Sequence, residues 1–239
     1  MGKLKALING CSFSRGPISW PYFLNTIDQD SLVNLACAGA GNTYIHETTV
    51  NAVASWPYYD IVLIMWTGMA RVDIKVNDIS LFESSSYTSQ YQSGRNDWLE
   101  KKVEPFNDQT LVEKDWVFGC GHINGDNKII KAGLFDGIYR YQDDLQFEYQ
   151  FLQRIVATQS FLKQQGLPYI FMFYKNFIGD LQKSIALYNI VDWNNCFTEH
   201  NLYDIATDID SFDKDGIHPG IEANRVWAQK LDKFIKEKT

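Results

Sequence analysis

The chain has 239 residues, 45% of them hydrophobic, and a formal net charge of −7 at pH 7. This length and apolar content predict one globular domain with a full core. The negative charge disfavours nucleic acid and anionic membranes as partners, and the sequence contains no basic patch that would overcome it. No apolar run reaches the ~18 residues of a membrane span, and the N-terminal run is too short for a signal peptide, so we expect a cytoplasmic protein.

The sequence offers no spacing typical of a metal site or a disulfide. Its four cysteines are widely scattered without a Cys-x-x-Cys pair, which predicts reduced thiols. They are Cys11, Cys37, Cys120 and Cys196. An acidic stretch at residues 208–215 lacks the glycine and glutamate spacing of a calcium loop. We therefore expect no metal ion and no cofactor.

Apolar runs and helical spacings alternate along the chain and predict an α/β fold. Runs at residues 4–9, 32–37, 61–66 and 169–174 are predominantly apolar and show no alternation with polar residues, as in strands of a parallel sheet covered on both faces. Helices are predicted at residues 20–27, 43–54 and 143–165, and a last helix is predicted after Pro219. The third of these should place Leu145, Tyr149, Leu152, Val156 and Gln159 on one face.

This alternation predicts a doubly wound parallel sheet, in which ligands bind at the carboxyl ends of the strands. Residues 73–142 interrupt it, because they are rich in Ser, Asn, Asp and Gly with scattered aromatic residues. We interpret them as an insertion or lid with small elements of its own. Its aromatic residues either wall a substrate pocket or form a small satellite core.

Two short motifs carry residues that could perform nucleophilic catalysis. Gly10-Cys11-Ser12 follows the first predicted strand, and Asp215-Gly216-Ile217-His218 precedes the last predicted helix. A serine needs an imidazole to take its proton, and the imidazole needs a carboxylate to fix its tautomer. We therefore predict that Ser12, His218 and Asp215 form a triad. The alternative is that Asp215 caps the last helix and His218 is a solvated loop residue.

The remaining histidines show no spacing that would pair them with a catalytic partner. We expect each to be an ordinary surface or core histidine. They are His46, His122 and His200.

The two motifs resemble the first and last sequence blocks of the GDSL/SGNH hydrolase family, which carry Gly-Asp-Ser and Asp-x-x-His. The resemblance covers residues 3–67 and 143–235. It implies a three-layer, flavodoxin-like α/β fold in which residues 1–239 form a single domain. It also implies hydrolysis of carboxylic esters, often acetyl esters, with a small-molecule or glycan ester as substrate.

The family's second block supplies a backbone N–H to the oxyanion hole, and Asn-Leu-Ala-Cys-Ala-Gly-Ala-Gly-Asn at residues 34–42 resembles it. Spacing from the strand favours Gly39 as that donor, beside the N–H of Ser12. Gly41 is the alternative. Either glycine could also serve only as a turn residue with positive φ.

The chain departs from the family in two places. Cys11 stands where the first block usually has Asp, and Trp-Thr-Gly-Met-Ala-Arg at residues 66–71 lacks the oxyanion Asn of the third block. Loss of one such donor costs on the order of 3 kcal/mol. Thr67, Asn42 or Arg71 could replace it, in that order of preference. Alternatively, Arg71 forms an ion pair with a nearby acid such as Asp73.

Substrate contacts are predicted for Arg71 and for Trp66, the last residue of the third apolar run. The leading hypothesis is a serine esterase. A close variant passes the acyl group to a sugar or other alcohol, as an acyltransferase does. A different class, a catalytically weak module that binds a glycan or a protein partner, remains the third hypothesis. The sequence does not predict an oligomeric state.

Overall fold

The computed structural model describes residues 2–56, 58–75, 116–119, 144–175 and 185–239. Seven strands lie in these ranges: β1 Ala6–Asn9, β2 Val33–Asn34, β3 Ile61–Trp66, β4 Val72–Lys75, β5 Trp116–Gly119, β6 Tyr169–Phe173 and β7 Cys196–Phe197. Five of them form a parallel sheet in the order β2-β1-β3-β6-β7, and β4 pairs with β5 in a separate antiparallel pair.

In the described part of the chain, four α-helices cover this sheet: α1 Asn42–Ser55, α2 Asp144–Gln164, α3 Leu202–Asp208 and α4 Ile221–Lys238. Helices α1 and α2 contribute to the core cluster on one face, whereas α3 and α4 contribute to the cluster on the other. The predicted α/β architecture with a parallel sheet is therefore confirmed. Without β4 and β5, the strand order is 2-1-3-4-5, one of the two common orders of doubly wound sheets.

The central strand β3 explains why the sequence signal of the sheet is so clear. All six of its residues are buried, and successive side chains enter opposite cores. Ile61, Leu63 and Met65 pack toward α4, while the residues between them pack toward α1 and α2. An apolar strand without alternation is thus what a sheet covered on both faces requires.

The prediction of a helix at residues 20–27 is wrong, because only Trp20–Phe23 form a short 3-10 helix. The backbone N–H groups of Asn25 and Thr26 instead donate to the buried carboxylate of Asp232 on α4, at 2.7 and 3.1 Å. These N–H groups bind a side chain 206 or more residues away in the sequence, and not the carbonyl groups of a helix. The local helical pattern therefore does not produce a helix at this point. The short elements β7 and α3 were not predicted.

The predicted face of α2 is also partly wrong. Leu145 and Tyr149 are 45% and 43% exposed, whereas the buried stripe is built on Phe147, Phe151 and Ile155. These three residues follow one another at i, i+4 spacing, and Phe151 lies edge-on to Trp66 of β3 with ring centroids 6.3 Å apart. The bulkier stripe therefore faces the sheet.

Most of the predicted insertion, residues 73–142, lies outside the described residues, as do Cys120 and His122. Of this segment, residues 73–75 and 116–119 are described, and they belong to the β4–β5 pair. Cys11, Cys37 and Cys196 are buried free thiols. Among the described helices, none is long and apolar enough to cross a membrane.

A buried amide joins the end of β1 to α1. The Asn9 side chain is fully buried, and its Nδ2 donates to Ile45 O, Thr48 Oγ1 and Thr49 Oγ1 at 2.8 to 3.0 Å. Its Oδ1 accepts the N–H of Gly10 at 2.8 Å. Asn9 thereby satisfies polar groups of both elements just before the chain reaches Ser12.

We expect Asn9→Ala to lower the free energy of unfolding by about 1–3 kcal/mol, because it leaves buried polar groups without partners. Urea denaturation followed by circular dichroism measures this change. Asn51→Ala is the matched control, since Asn51 is exposed on α1. Equal stabilities of the two variants would contradict the structural role given to Asn9.

Candidate active site

Ser12 lies in a tight turn directly after β1. Residues 12–14 form one 3-10 turn, in which the N–H of Ser14 donates to Cys11 O at 3.0 Å. The Ser14 hydroxyl is buried and accepts from Trp20 Nε1 at 3.0 Å, which anchors the turn in the core. Ser12 itself is half-buried. The turn therefore presents the Ser12 hydroxyl at the carboxyl edge of the sheet.

Asp215 and His218 are joined within one loop before α4. Asp215 Oδ1 accepts the backbone N–H groups of Ile217 and His218, each at 2.9 Å. The other oxygen, Oδ2, is hydrogen-bonded to His218 Nδ1. These bonds, led by the two backbone ones, lower the pKa of Asp215 to about 2. The carboxylate is thus ionised at neutral pH and orients the imidazole.

The two motifs meet across the sheet edge. His218 Nε2 lies 2.9 Å from Ser12 Oγ, although the two residues are 206 positions apart in the chain. A neutral imidazole with its proton on Nδ1 donates to Asp215 and accepts the hydroxyl proton of Ser12 with Nε2. The three residues predicted as a triad are therefore linked by hydrogen bonds, from Asp215 to His218 and from His218 to Ser12. Asp215 is not merely a helix cap, because the N-cap of α4 is Gly220.

Asn224 on α4 connects the segments that carry Ser12 and His218. Its Oδ1 accepts the N–H of Trp20 at 2.9 Å, and its Nδ2 donates to Pro219 O at 2.9 Å. Asn224 is buried, so both bonds are shielded from water. This link was not predicted, because a single asparagine on a helix has no distinctive sequence signal.

The predicted oxyanion glycine, Gly39, lies in a tight turn between Cys37 and Ala40. The N–H of Ala40 donates to Cys37 O at 3.2 Å, and Gly39 has φ +82°. A type II turn requires positive φ at this third position, which favours glycine. The alternative donor, Gly41, has its N–H bound to Asp73 Oδ1 at 2.6 Å. The bond to Asp73 thus occupies the N–H of Gly41, and the assignment of Gly39 as the oxyanion donor stays a prediction.

Asn42 makes hydrogen bonds that the sequence did not predict. Its Nδ2 donates to the carbonyl oxygens of Thr67 and Gly68 at 3.3 and 3.1 Å, and its Oδ1 accepts the N–H of Thr67 at 3.1 Å. Because these bonds occupy the side-chain amide, Asn42 fastens α1 to the end of β3 and does not fit the role of an oxyanion donor. Its amide group is also buried.

Thr67 lies directly after β3 and is fully buried. Its hydroxyl has no hydrogen-bond partner among the described residues. An enclosed donor without a partner is unusual, because an unsatisfied buried hydroxyl costs free energy. The assignment of Thr67 to the oxyanion hole stays a prediction.

The assignment of Trp66 to substrate binding does not fit its placement. The side chain is fully buried in the core, edge-on to Phe171 with ring centroids 5.5 Å apart. Trp66 is the last residue of β3, and the strand's alternation turns it toward α1 and α2. The apolar sequence around it is therefore a core signal and not a binding signal.

Arg71 lies near the same edge and binds protein groups. Its Nη1 donates to Ala40 O at 3.2 Å, and its charge lowers the pKa of Asp73. The alternative interpretation, an electrostatic pairing of Arg71 with Asp73, therefore fits the structure. Burial outweighs this pairing and raises the pKa of Asp73 to about 6. A substrate contact by Arg71 stays a prediction.

Two aromatic residues beside the triad were not predicted as part of the site. The Phe13 ring lies 5.3 Å from the His218 ring and 4.9 Å from the Tyr174 ring, measured between centroids. Tyr174 follows β6, and burial raises the pKa of its hydroxyl. Its position at the carboxyl end of a strand was the available signal, whereas nothing in the sequence distinguished Phe13.

The other described histidines have separate surroundings. His46 Nδ1 lies 2.8 Å from Thr158 Oγ1 between α1 and α2, and His200 Nε2 lies 3.4 Å from Lys230 Nζ. Within the described ranges, no group of three or more His, Cys, Asp and Glu side chains is placed to hold a metal ion. The candidate site therefore consists of the side chains of Ser12, His218 and Asp215.

Comparisons with known proteins do not assign the chain to a family. No protein-family model matches the sequence, and no curated protein gives a significant match. The interpretation of the site therefore depends on the geometry of its side chains.

The titration of Asp215 tests how the loop holds this carboxylate. In His218→Ala, the side-chain bond is lost, but the two backbone N–H donors remain. We expect the pKa of Asp215 to rise from about 2 while staying below its ordinary value of 3.8. Carboxyl ¹³C chemical shifts, recorded as a function of pH by NMR, measure both midpoints. A midpoint at 3.8 or above in the variant would contradict the backbone contribution.

Proposed function

We propose that the protein is a serine esterase of the GDSL/SGNH type that hydrolyses carboxylic esters. The observation that carries this proposal is the hydrogen-bonded sequence from Asp215 through His218 to Ser12. The strand order and the position of the three residues at the carboxyl edge of the sheet support it. Membership of the family is part of the proposal and rests on the two sequence motifs and on this geometry.

In the first half of the reaction, His218 Nε2 takes the proton of the Ser12 hydroxyl as Oγ attacks the ester carbonyl carbon. The backbone N–H groups of Ser12 and Gly39 are the proposed donors to the oxyanion that forms. The tetrahedral intermediate then collapses, the alcohol leaves with the proton from His218, and the acyl group stays on Ser12. Asp215 keeps the imidazole in the required tautomer and stabilises its charged form.

In the second half, His218 takes a proton from a water molecule, which attacks the acyl carbonyl carbon. A second tetrahedral intermediate collapses, the carboxylic acid leaves, and Ser12 regains its proton from His218. The proposed substrate is a small-molecule or glycan ester. No metal ion or cofactor takes part in this sequence.

We expect Ser12→Ala to abolish covalent labelling by a fluorophosphonate probe and to lower p-nitrophenyl acetate hydrolysis by at least about 10³-fold. The reason is that both reactions require the activated hydroxyl. Labelling is read on a fluorescent gel and hydrolysis by absorbance. Ser160→Ala is the matched control, because Ser160 is exposed on α2 and, among the described residues, its hydroxyl bonds only to Val156 O.

The same assay distinguishes the alternatives. Absence of labelling and of hydrolysis in the unmodified protein would overturn the esterase proposal and favour the weak binding module. Faster release of p-nitrophenol when an alcohol acceptor is added, with acylated acceptor as product, would instead indicate an acyltransferase. Equal rates for Ser12→Ala and the unmodified protein would exclude Ser12 as the nucleophile.

A further inference from the structure

The start of α1 is held by a carboxylate from outside the helix. Asp73, in β4, accepts the N–H of Gly41 on Oδ1 at 2.6 Å and the N–H of Tyr44 on Oδ2 at 2.9 Å. A third backbone hydrogen bond, from the N–H of Thr43, helps to lower the pKa of this carboxyl group. The first N–H groups of a helix lack partners within the helix, so Asp73 supplies the acceptors that α1 itself does not.

The identity of residue 41 is explained by this contact. A Cβ atom added at Gly41 would lie 2.7 Å from each carboxylate oxygen of Asp73 and 2.9 Å from the carbon between them. Such distances are too short for any side chain, so glycine is required if Asp73 is to reach the backbone. Gly41 has φ −101°, an ordinary value, so its backbone conformation does not by itself demand glycine.

Arg71 binds the same segment, but as a positively charged hydrogen-bond donor. Its Nη1 donates to Ala40 O at 3.2 Å, one residue before the N–H that Asp73 accepts. Adjacent backbone groups of the segment that follows Gly39 are therefore held by a cation and an anion, both from the stretch after β3. Arg71 is the last residue of the stretch, residues 66–71, in which the family resemblance would place an oxyanion asparagine.

We propose that Asp73 is a positioning residue, which keeps the Gly39 turn in place for oxyanion binding by holding Gly41 and the start of α1. This inference rests on the proposed esterase function. The Gly39 turn lies between Cys37, which is bonded to Gly10 O at 3.1 Å, and the segment held by Asp73. Since a displacement of about 1 Å in a catalytic group can cost about 100-fold in rate, this support affects turnover.

Asp73→Asn tests the proposal because it preserves the shape of the side chain. An amide keeps one acceptor oxygen but points an NH₂ group at one of the two backbone donors. We expect kcat for p-nitrophenyl acetate to fall about 10- to 100-fold with KM changed less than about threefold. A residue that only stabilises the fold would leave kcat of the folded protein unchanged.

Asp232→Asn is the matched control. Asp232 is a buried carboxylate that also accepts two backbone N–H groups, from Asn25 and Thr26. It lies about 16 Å along α4 from the first residue of that helix, far from the His218 loop. We expect both variants to lose stability in urea denaturation, whereas only Asp73→Asn loses kcat.

Gly41→Ala provides a second variant if Asp73→Asn does not fold. Its Cβ displaces the carboxylate, so we expect a similar loss of kcat and little change in KM. Unchanged kcat in whichever of these variants folds, with Ser12-dependent hydrolysis intact in the unmodified protein, would overturn the positioning role. An unmodified protein without Ser12-dependent hydrolysis would instead overturn the esterase proposal, so the two failures are distinguishable.

Discussion

The parallel pairing of β1 with β3 is the constraint on which the candidate site depends. Their register sets Asn9 opposite Ile64, so both strands end at one edge of the sheet. The Ser12 turn follows β1 there, and Thr67 follows β3 at the same edge. Gly10 O also accepts the N–H of Cys37, which brings the Gly39 turn beside the Ser12 turn. Backbone pairing in the sheet thus places three loops that are distant in sequence at one edge, and this placement requires no side-chain contact.

Asp215 and His218 are close together in the sequence, but their position in the fold depends on residues that are distant in the sequence. The loop alone forms the bonds between the carboxylate, two backbone N–H groups and the imidazole. Its placement over Ser12 depends on α4, whose Trp227 packs against Trp20 with ring centroids 5.2 Å apart. A buried aromatic contact in the core and the Asn224 bonds therefore connect the segment that carries the base to the segment that carries the nucleophile.

The parts of the structure that could be predicted from sequence are those with a local physical signal. Predominantly apolar strands, the helical pattern at residues 43–54 and the three-residue spacing of Asp215 and His218 all reflect short-range geometry. The helix expected at residues 20–27 failed because the Asp232 carboxylate, distant in sequence, takes its backbone donors. The hydrogen bonds of Asn42 and the burial of Trp66 could not be predicted for a similar reason: their partners come from other elements, and no spacing reveals them.

The bonds of Asn42 show that the start of α1 and the segment after β3 are attached to each other in both directions. An amide from α1 binds backbone carbonyl groups at the end of β3, and two charged side chains after β3 bind the backbone at the start of α1.

The 206 positions between Ser12 and His218 have a consequence for biosynthesis. At ribosomal rates of roughly 5–20 residues per second, about 10–40 s separate the emergence of the nucleophile from that of its base. During this interval Ser12 lacks the imidazole that would take its proton, because His218 has not yet been synthesised. Any reactivity of Ser12 that depends on His218 is therefore a property acquired only when translation has passed the second motif.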